Sequence, residues 1–245
     1  MRPGLEHHAA EEIAQQIQDL IIAQELPEGL RLPSERDLAE ILSTSRPTVS
    51  QAIRILVVRG LVESRRGSGA YVLRRPEAGL ASSMHLMLGL NQESVVHLAD
   101  LRLWLEDSGV HQAIERSTSD DMSAGEAALV RLRDSAGSTA SWMSADTQFH
   151  ATLVRASHNP YLATIFEGVH TTLINYEYRE WIASGTVPKW LGRGHAAALT
   201  SLHEPILRAV RERDVDAAHL AVLHHHHAME EHLAASHRGE VPARP

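Results

Sequence analysis

The chain has 245 residues, of which 43% are hydrophobic, with a formal net charge of −8 at pH 7 and no cysteine. This length and this hydrophobic fraction suit two modest globular domains, each with a buried core. The lack of cysteine excludes a disulfide framework and a thiolate metal site, so any metal ion would have to be bound by His, Asp or Glu.

No segment of the sequence predicts association with a membrane. The N-terminus does not show the basic, apolar and small-residue order of a signal peptide. No apolar run approaches the roughly 18 residues that a membrane span requires. We therefore expect a cytoplasmic protein with no membrane partner.

The charges are distributed unevenly along the chain. Between Thr44 and Arg75, seven basic residues stand against one acidic residue, Glu63, whereas acidic residues outnumber basic ones by eight from Glu77 to the end. One face of the N-terminal part is therefore suited to contact phosphate groups, which the rest of the chain would repel.

Three helices are predicted in the N-terminal part of the chain, over residues 11–24, 34–43 and 45–60. Ser34 is a suitable N-cap for the second helix, with Asp37 three residues further on as in a capping box. Ser45 is a suitable N-cap for the third helix, and Pro47 lies in its first turn, where a missing N–H group costs nothing.

A short β-hairpin is predicted after the third helix. Residues 61–64 and 70–73 have the pattern of short extended segments, and the turn between them contains two arginines and two glycines. Three helices followed by this hairpin predict a winged helix-turn-helix, in which the hairpin is the wing.

The third helix has polar residues beside its buried stripe. Its apolar residues would face the core and leave five polar residues on other faces: Arg46, Thr48, Ser50, Gln51 and Arg54. Such side chains can reach base edges and phosphates in a major groove. Alternatively, they are solvated residues of a small three-helix domain, but the basic wing next to them favours DNA binding.

Several spaced motifs resemble the GntR family of winged-helix repressors and activators. The motifs are Gly29-Leu-Arg-Leu-Pro-Ser-Glu-Arg36-Asp-Leu-Ala, Thr44-Ser-Arg46-Pro-Thr-Val, Gly60-Leu-Val-Glu and Arg66-Gly67-Ser-Gly69. The resemblance covers residues 9–75. It implies a regulator that binds double-stranded operator DNA as a homodimer.

The resemblance also implies which residues contact DNA. Arg36, Arg46 and Gly67 match the family's contact positions, and Thr48 and Arg66 are their neighbours. With the other polar positions of the third helix, the predicted DNA-binding set is Arg36, Ser45, Arg46, Thr48, Ser50, Gln51, Arg66 and Gly67. Many family members carry an arginine where Ser50 stands, so a bidentate guanine contact from that position is not available.

The C-terminal part predicts a purely helical domain. Pro76 and Gly79 lie in a segment with little periodicity, which suggests a domain boundary. We predict a DNA-binding domain over 1–76, a linker or short helix over 77–90, a helical domain over 91–238 and a tail over 239–245. Helices are expected over 82–89, 91–117, 120–136, 141–157, 160–184, 194–212 and 214–236. The predicted fold is mainly α, with an antiparallel bundle of six or seven helices.

Four residues of the helical domain form a candidate metal site. Asp146 and His150 lie at i and i+4 on the inner stripe of one helix. His203 and His225 also point inward, at similar heights on two helices that an antiparallel turn connects. Three imidazoles and a carboxylate suit a divalent transition metal. Alternatively, they are hydrogen-bonded core residues, and a small error in register would replace His225 by His226.

The same residues resemble the FCD ligand-binding domain of the FadR subfamily. The matching motifs are Asp146-Thr-Gln-Phe-His150 and His203-x-x-Ile, followed by His225, within residues 90–236. The resemblance implies that Asp146, His150, His203 and His225 bind the metal, with zinc as the first choice and nickel, manganese or iron as alternatives.

The FCD resemblance further implies a small organic acid as effector, bound through the metal and Arg102. A guanidinium can grip a carboxylate with two hydrogen bonds. The alternative for Arg102 is a surface salt bridge to Glu106. We expect a repressor of a palindromic operator whose affinity the acid changes. An enzyme would need a general base near the metal, and the sequence does not identify one.

Overall fold

The structure is a computed structural model that describes residues 3–74, 76–91, 94–192, 194 and 196–237. The chain divides into two compact units, Met1–Ser82 and Ser83–Pro245. The predicted tail over 239–245 lies outside the described residues. None of the helices within the described ranges is both long and apolar enough to span a membrane.

The first unit consists of three helices and a hairpin: α1 (Pro3–Ala23), α2 (Glu35–Ile41), α3 (Arg46–Val58), β1 (Val62–Arg65) and β2 (Gly69–Val72). The two strands are antiparallel, and Val62 stands opposite Val72. Both valines are buried against apolar residues of the three helices. The predicted winged helix-turn-helix is therefore confirmed.

Side-chain caps fix the starts of α2 and α3 as the sequence predicts. Ser34 Oγ accepts a hydrogen bond from the N–H of Asp37 at 3.2 Å. Ser45 Oγ accepts one from the N–H of Thr48, also at 3.2 Å. Each cap satisfies a backbone donor that the first turn of a helix leaves free. The caps therefore set where Arg46, the first residue of α3, lies on the surface.

The remaining elements are helical: α4 (Pro76–Leu90), α5 (Val95–Arg116), α6 (Ser119–Asp134), α7 (Thr139–Arg155), α8 (Pro160–Glu177), α9 (Arg179–Ser184), a short 3-10 turn (Lys189–Leu191), α10 (Ala196–Glu212) and α11 (Val215–His237). The predicted mainly α fold with a helical C-terminal domain is confirmed. The division between the two units falls within α4.

Three helices differ from the prediction. Helix α1 begins at Pro3 and not at residue 11. Helix α4 is longer than the expected 82–89 and begins at Pro76, in a first position where proline is tolerated. The single helix predicted over 160–184 is wrong, since the chain leaves helical geometry at Tyr178, with φ −95° and ψ 4°. The ring of Tyr178 is buried between Trp142 and Trp190, at centroid distances of 5.3 and 6.1 Å. We attribute the break to this packing.

Glycine lets α5 approach α7 closely. A Cβ atom added to Gly109 would lie 2.8 Å from Val154 Cγ1, which is closer than carbon atoms pack. The approach brings the inner face of α5, which carries Arg102 and Glu106, against Asp146 and His150 on α7. This contact positions the candidate site described next.

Candidate metal centre and nucleic-acid interface

The four predicted metal ligands lie together in the core of the helical unit. Asp146 and His150 come from α7, His203 from α10 and His225 from α11, and all four are buried. One ligand atom from each lies within 4.8 Å of the others. The distance from His203 Nε2 to Asp146 Oδ1 is 3.0 Å, and from His203 Nε2 to His225 Nε2 it is also 3.0 Å.

The turn between α10 and α11 places His203 and His225 at similar heights along the two helices. Arg213 lies in this turn with a φ of 60°. Its guanidinium donates hydrogen bonds to the carbonyls of Ile114 and Ser117 at the end of α5, the latter at 2.8 Å. The turn is therefore tied to a helix of the core, and His203 and His225 face the same point.

The donor set fits a divalent transition metal. Three imidazole nitrogens and one carboxylate oxygen are ligands that zinc and other divalent first-row transition metals accept. Nε2 of His150 is buried and has no hydrogen-bond partner among the described residues. A buried polar atom without a partner is costly, so a cation at the point where these atoms converge would satisfy it.

The protonation states of Asp146 and His225 suit coordination. Burial opposes ionisation of Asp146, but His150, His170 and His203 outweigh it and hold the pKa of this carboxyl well below its ordinary value. Burial, His203 and His150 hold the pKa of His225 well below its ordinary value. An ionised carboxylate and a neutral imidazole are the forms that bind a metal. His150 differs, because burial is outweighed by Glu106 and Asp146, which raise its pKa to about 9, so a metal would have to displace a proton from this imidazole.

Two residues around the cluster, Glu106 and His170, were missed by the sequence analysis as parts of the site. Glu106 is fully buried, and its Oε1 accepts a short hydrogen bond from Nδ1 of His150. Its Oε2 accepts one from Nε2 of His226 at 2.7 Å. Nε2 of His170 lies 3.2 Å from Oδ2 of Asp146. Glu106 thus leaves Nε2 of His150 free to bind a metal, as partners of ligating histidines commonly do.

These positions correct two alternatives from the sequence. His226 contacts Glu106 and is not among the four clustered ligands, so a register shift from His225 is not needed. The alternative for Arg102, a surface salt bridge to Glu106, is right in its partner, since Arg102 Nη2 lies 4.0 Å from Glu106 Oε2, but wrong in its place, because both residues are buried. The signal was present in the sequence, since Glu106 shares the inner stripe of α5 with Arg102 and Val110.

A pocket borders the four candidate metal ligands, called the metal cluster below, and is lined by residues of α5, α7, α8 and α11. It includes Asp146 and His225 of the cluster, together with Arg102, Trp142 and Tyr178. Arg102 Nε, Trp142 Nε1 and Tyr178 Oη are buried without a hydrogen-bond partner among the described residues. An unpaired buried donor costs about 1–3 kcal/mol, so these three groups favour a ligand rich in acceptor oxygens.

The pocket is nearly closed in this structure. Its cavity volume of about 20 Å³ is room for about one water molecule. Glu177 also lines it, and burial together with Glu230 raises the pKa of this carboxyl to about 7, although Arg102 opposes the shift. A ligand larger than water would have to displace side chains such as Met229, which is flexible enough to move.

Part of the predicted DNA-binding set lies around a groove of the winged unit. Arg36, Arg46 and Gly67 line this groove, although they come from α2, α3 and the wing turn. The side chains of Arg36 and Arg46 are 80% and 71% exposed. Gly67 has a φ of 75°, which a residue with a side chain adopts only with strain. The shape of the wing turn therefore depends on this glycine.

The other predicted DNA-binding residues lie along α3 and the wing. Arg66 is exposed at the wing turn, and Ser50 and Gln51 are half-buried on α3. Ser45 and Thr48 are engaged with each other, with their hydroxyl oxygens 2.7 Å apart. The hydroxyl of Ser45 is thus already used to cap α3, and Arg46 is the more available contact at this end of the helix.

Both parts of the chain match known protein families. The family described as "Bacterial regulatory proteins, gntR family" matches residues 9–72, and the family described as "FCD domain" matches residues 97–234. The chain belongs to the GntR family and carries an FCD domain. The two matches coincide with the winged unit and with the helical unit that holds the metal cluster.

Whole-chain relatives of this GntR-family protein are transcription regulators. It is 31% identical over 230 residues to the HTH-type transcriptional repressor NanR of Citrobacter rodentium, covering 91% of this chain and 85% of the relative. It is 29% identical over 229 residues to NanR of Cronobacter sakazakii, with 91% and 85% covered. Its relatives are regulators and not enzymes, and this chain is a DNA-binding transcription regulator.

Solved structures show the same two-part architecture. A GntR protein of Streptococcus agalactiae matches with a TM-score of 0.62 and 25% identity, covering 90% of this chain and 98% of that one. McbR/YncC of E. coli matches with a TM-score of 0.52 and 15% identity, covering 94% and 98%. The second likeness bears on the fold alone.

Proposed function

We propose that this GntR-family regulator is a repressor of the FadR subfamily that binds a palindromic operator as a homodimer. A small organic acid, bound beside a divalent metal in the FCD domain, changes its affinity for DNA. Zinc is the first choice of metal, with nickel, manganese or iron as alternatives. Because its target is DNA, the expected site of action is the cytoplasm.

One observation carries this proposal: the cluster of Asp146, His150, His203 and His225 borders a pocket with unpaired buried donors. A carboxylate there would meet Arg102 on one side and the metal site on the other. Two cationic groups facing one pocket favour an anion. The hydroxyl of Tyr178 and the indole N–H of Trp142 would hydrogen-bond further oxygen atoms of the acid.

The closed pocket suggests how the acid is coupled to DNA binding. The acid would have to open a cavity whose walls come from α5, α7, α8 and α11, so it stabilises an arrangement of these helices that differs from the closed one. In a dimer, such a change would alter the spacing of the two winged units and their fit to a two-fold operator.

The DNA side of the proposal assigns direct contacts to Arg36, Arg46, Arg66 and Gly67, with Thr48, Ser50 and Gln51 along the helix. Ser50 is too short to make the bidentate guanine contact of an arginine. The operator is therefore expected to depart from half-sites that other family members read through an arginine at this position.

The test begins with selection of DNA ligands from a randomised pool by purified, metal-analysed protein. Palindromic fragments bound by dimers, as measured by light scattering, support the DNA half of the proposal. Carboxylic acids and sugar acids are then screened by thermal shift and by intrinsic tryptophan fluorescence, to which Trp142 in the pocket wall contributes. The expected result is one acid that raises the melting temperature and changes DNA affinity.

One variant and one treatment distinguish the proposal from a purely structural metal. Arg102→Lys keeps the charge but loses the planar fork, so it should weaken the acid response and keep the metal content. Removal of the metal with a chelator should abolish the change in DNA affinity that the acid causes. If the chelated protein melts at a lower temperature yet responds to the acid as before, the metal has a structural role only.

A further inference from the structure

Arg31 lies in a short extended segment that pairs with the second strand of the wing. The N–H of Leu32 donates to the carbonyl of Ala70, and the N–H of Val72 donates to the carbonyl of Leu30, both at 2.9 Å. Arg31 itself forms an antiparallel bridge with Tyr71. The backbone of Arg31 is therefore fixed to the wing and moves with it.

The side chain of Arg31 lies over the glycine that begins β2. A Cβ atom on Gly69 would be 3.3 Å from Arg31 Nε and 3.6 Å from one of its terminal nitrogens. The absence of a side chain at Gly69 thus leaves the space that the guanidinium occupies. Gly69 also has a φ of 120°, a backbone conformation that favours glycine.

The charge of Arg31 is more available than that of its neighbours. Arg31 is exposed, and among the described residues it forms no ion pair. By contrast, Arg46 Nε lies 3.3 Å from Glu35 Oε2, and Arg36 Nε lies 3.8 Å from Asp37 Oδ1. A phosphate that approaches Arg31 therefore has no carboxylate to displace.

Arg31 lines the same groove as Arg36, Arg46 and Gly67. These three residues match the DNA contacts that the resemblance implies, whereas Arg31, although it lies within the first motif, matches none of those contact positions. The guanidinium of Arg31 lies beside the wing turn, in the groove that also includes Arg46 at the start of α3. A DNA strand that contacts both the wing turn and α3 would pass this groove.

We propose that Arg31 binds a backbone phosphate of DNA beside the wing turn. The contact is sequence-independent and positions the wing relative to α3. It rests on the proposed DNA-binding function. Each phosphate that a protein neutralises contributes about 0.9 to the slope of log K against log salt concentration, so the contribution of Arg31 can be measured separately.

The test compares full-length Arg31→Gln, Arg31→Lys and wild type on a selected operator and on a scrambled fragment over a range of salt concentrations. Arg31→Gln should weaken binding to both fragments by a similar factor and lower the salt slope by about 0.9 for each bound protomer. Arg31→Lys should keep most of the slope. Arg208→Gln is the matched control, because Arg208 is exposed on α10 of the other unit.

The outcomes separate this proposal from the function on which it rests. If wild type shows no salt-dependent binding to any DNA, the proposed function fails and this contact fails with it. If wild type binds but Arg31→Gln keeps the wild-type slope, the phosphate contact alone is overturned. A lower melting temperature with an unchanged slope would assign Arg31 to packing of the wing and would also overturn it.

Discussion

Glu106 shows how one buried carboxylate can organise the candidate metal centre. It accepts hydrogen bonds from His150 and His226, while Arg102 lies 4.0 Å from it on the same helix. Burial opposes its ionisation, but His150 and His226 outweigh burial and hold the pKa of Glu106 well below its ordinary value. Glu106 therefore carries the negative charge that orients the imidazole of His150, a candidate metal ligand.

Replacing Glu106 by glutamine tests this role. Glu106→Gln should lower metal affinity by about 10–100-fold, the usual cost of losing the partner of a ligating histidine. Affinity is measured by competition with a chromophoric chelator. Asp107→Asn is the control, because Asp107 pairs with His219 at the surface, 2.9 Å away. Equal affinities for wild type and Glu106→Gln would show that His150 needs no such partner.

Arg46 is the predicted reading residue at the start of α3. If Arg46 contacts a base, Arg46→Ala should weaken binding to the specific operator by about 1–3 kcal/mol. If Arg46 contacts a phosphate, the loss of binding free energy should be smaller and the same for all DNA sequences. Gel shifts on the selected operator and on a scrambled fragment distinguish the two. Unchanged affinity for both fragments would remove Arg46 from the DNA-binding surface.

The packing of α5 against α7 determines whether the pocket and the metal cluster adjoin. Gly109 makes the approach possible because a side chain there would meet Val154. Gly109 lies between Glu106 and Ala113 on the buried face of α5. A shift of α5 would therefore move Glu106 away from His150.

Gly109→Ala should lower the free energy of unfolding by about 1–3 kcal/mol through overpacking, and it should weaken metal binding as well. Chemical denaturation and chelator competition measure the two effects. Gly89→Ala is the matched control, because Gly89 is also helical and has nothing within 4 Å of an added Cβ. If Gly109→Ala is as stable as Gly89→Ala, the close approach does not constrain α5.

The two units should respond differently to metal removal, since the cluster lies entirely in the helical unit. A ligand that binds only the folded state stabilises it, by about 2.7 kcal/mol at a concentration 100 times its Kd. Chelation should therefore speed hydrogen exchange in α7, α10 and α11 of the full chain and leave α1, α2 and α3 unchanged. Equal acceleration in both units would show that the metal stabilises the whole molecule.

The winged unit and the metal cluster were accessible from the sequence for different reasons. Local chemistry revealed the winged unit: Ser34 and Ser45 as caps, Pro47 in a first turn and glycines in the wing. Helical periodicity placed Asp146 and His150 on one face, and the turn between the last two helices placed His203 and His225 at similar heights. The FCD resemblance then favoured one metal site over separate core residues.

Tertiary structure decided the features that depend on residues distant in sequence. Periodicity states which face of a helix is buried but not what it meets, so the contacts of Glu106 with His150 and of His170 with Asp146 could not be predicted. The break at Tyr178 arises from packing against Trp142 and Trp190, which no local rule describes. In the same way, the sequence contains Arg31 and Gly69 as unrelated residues, and only the pairing of their strands brings them together.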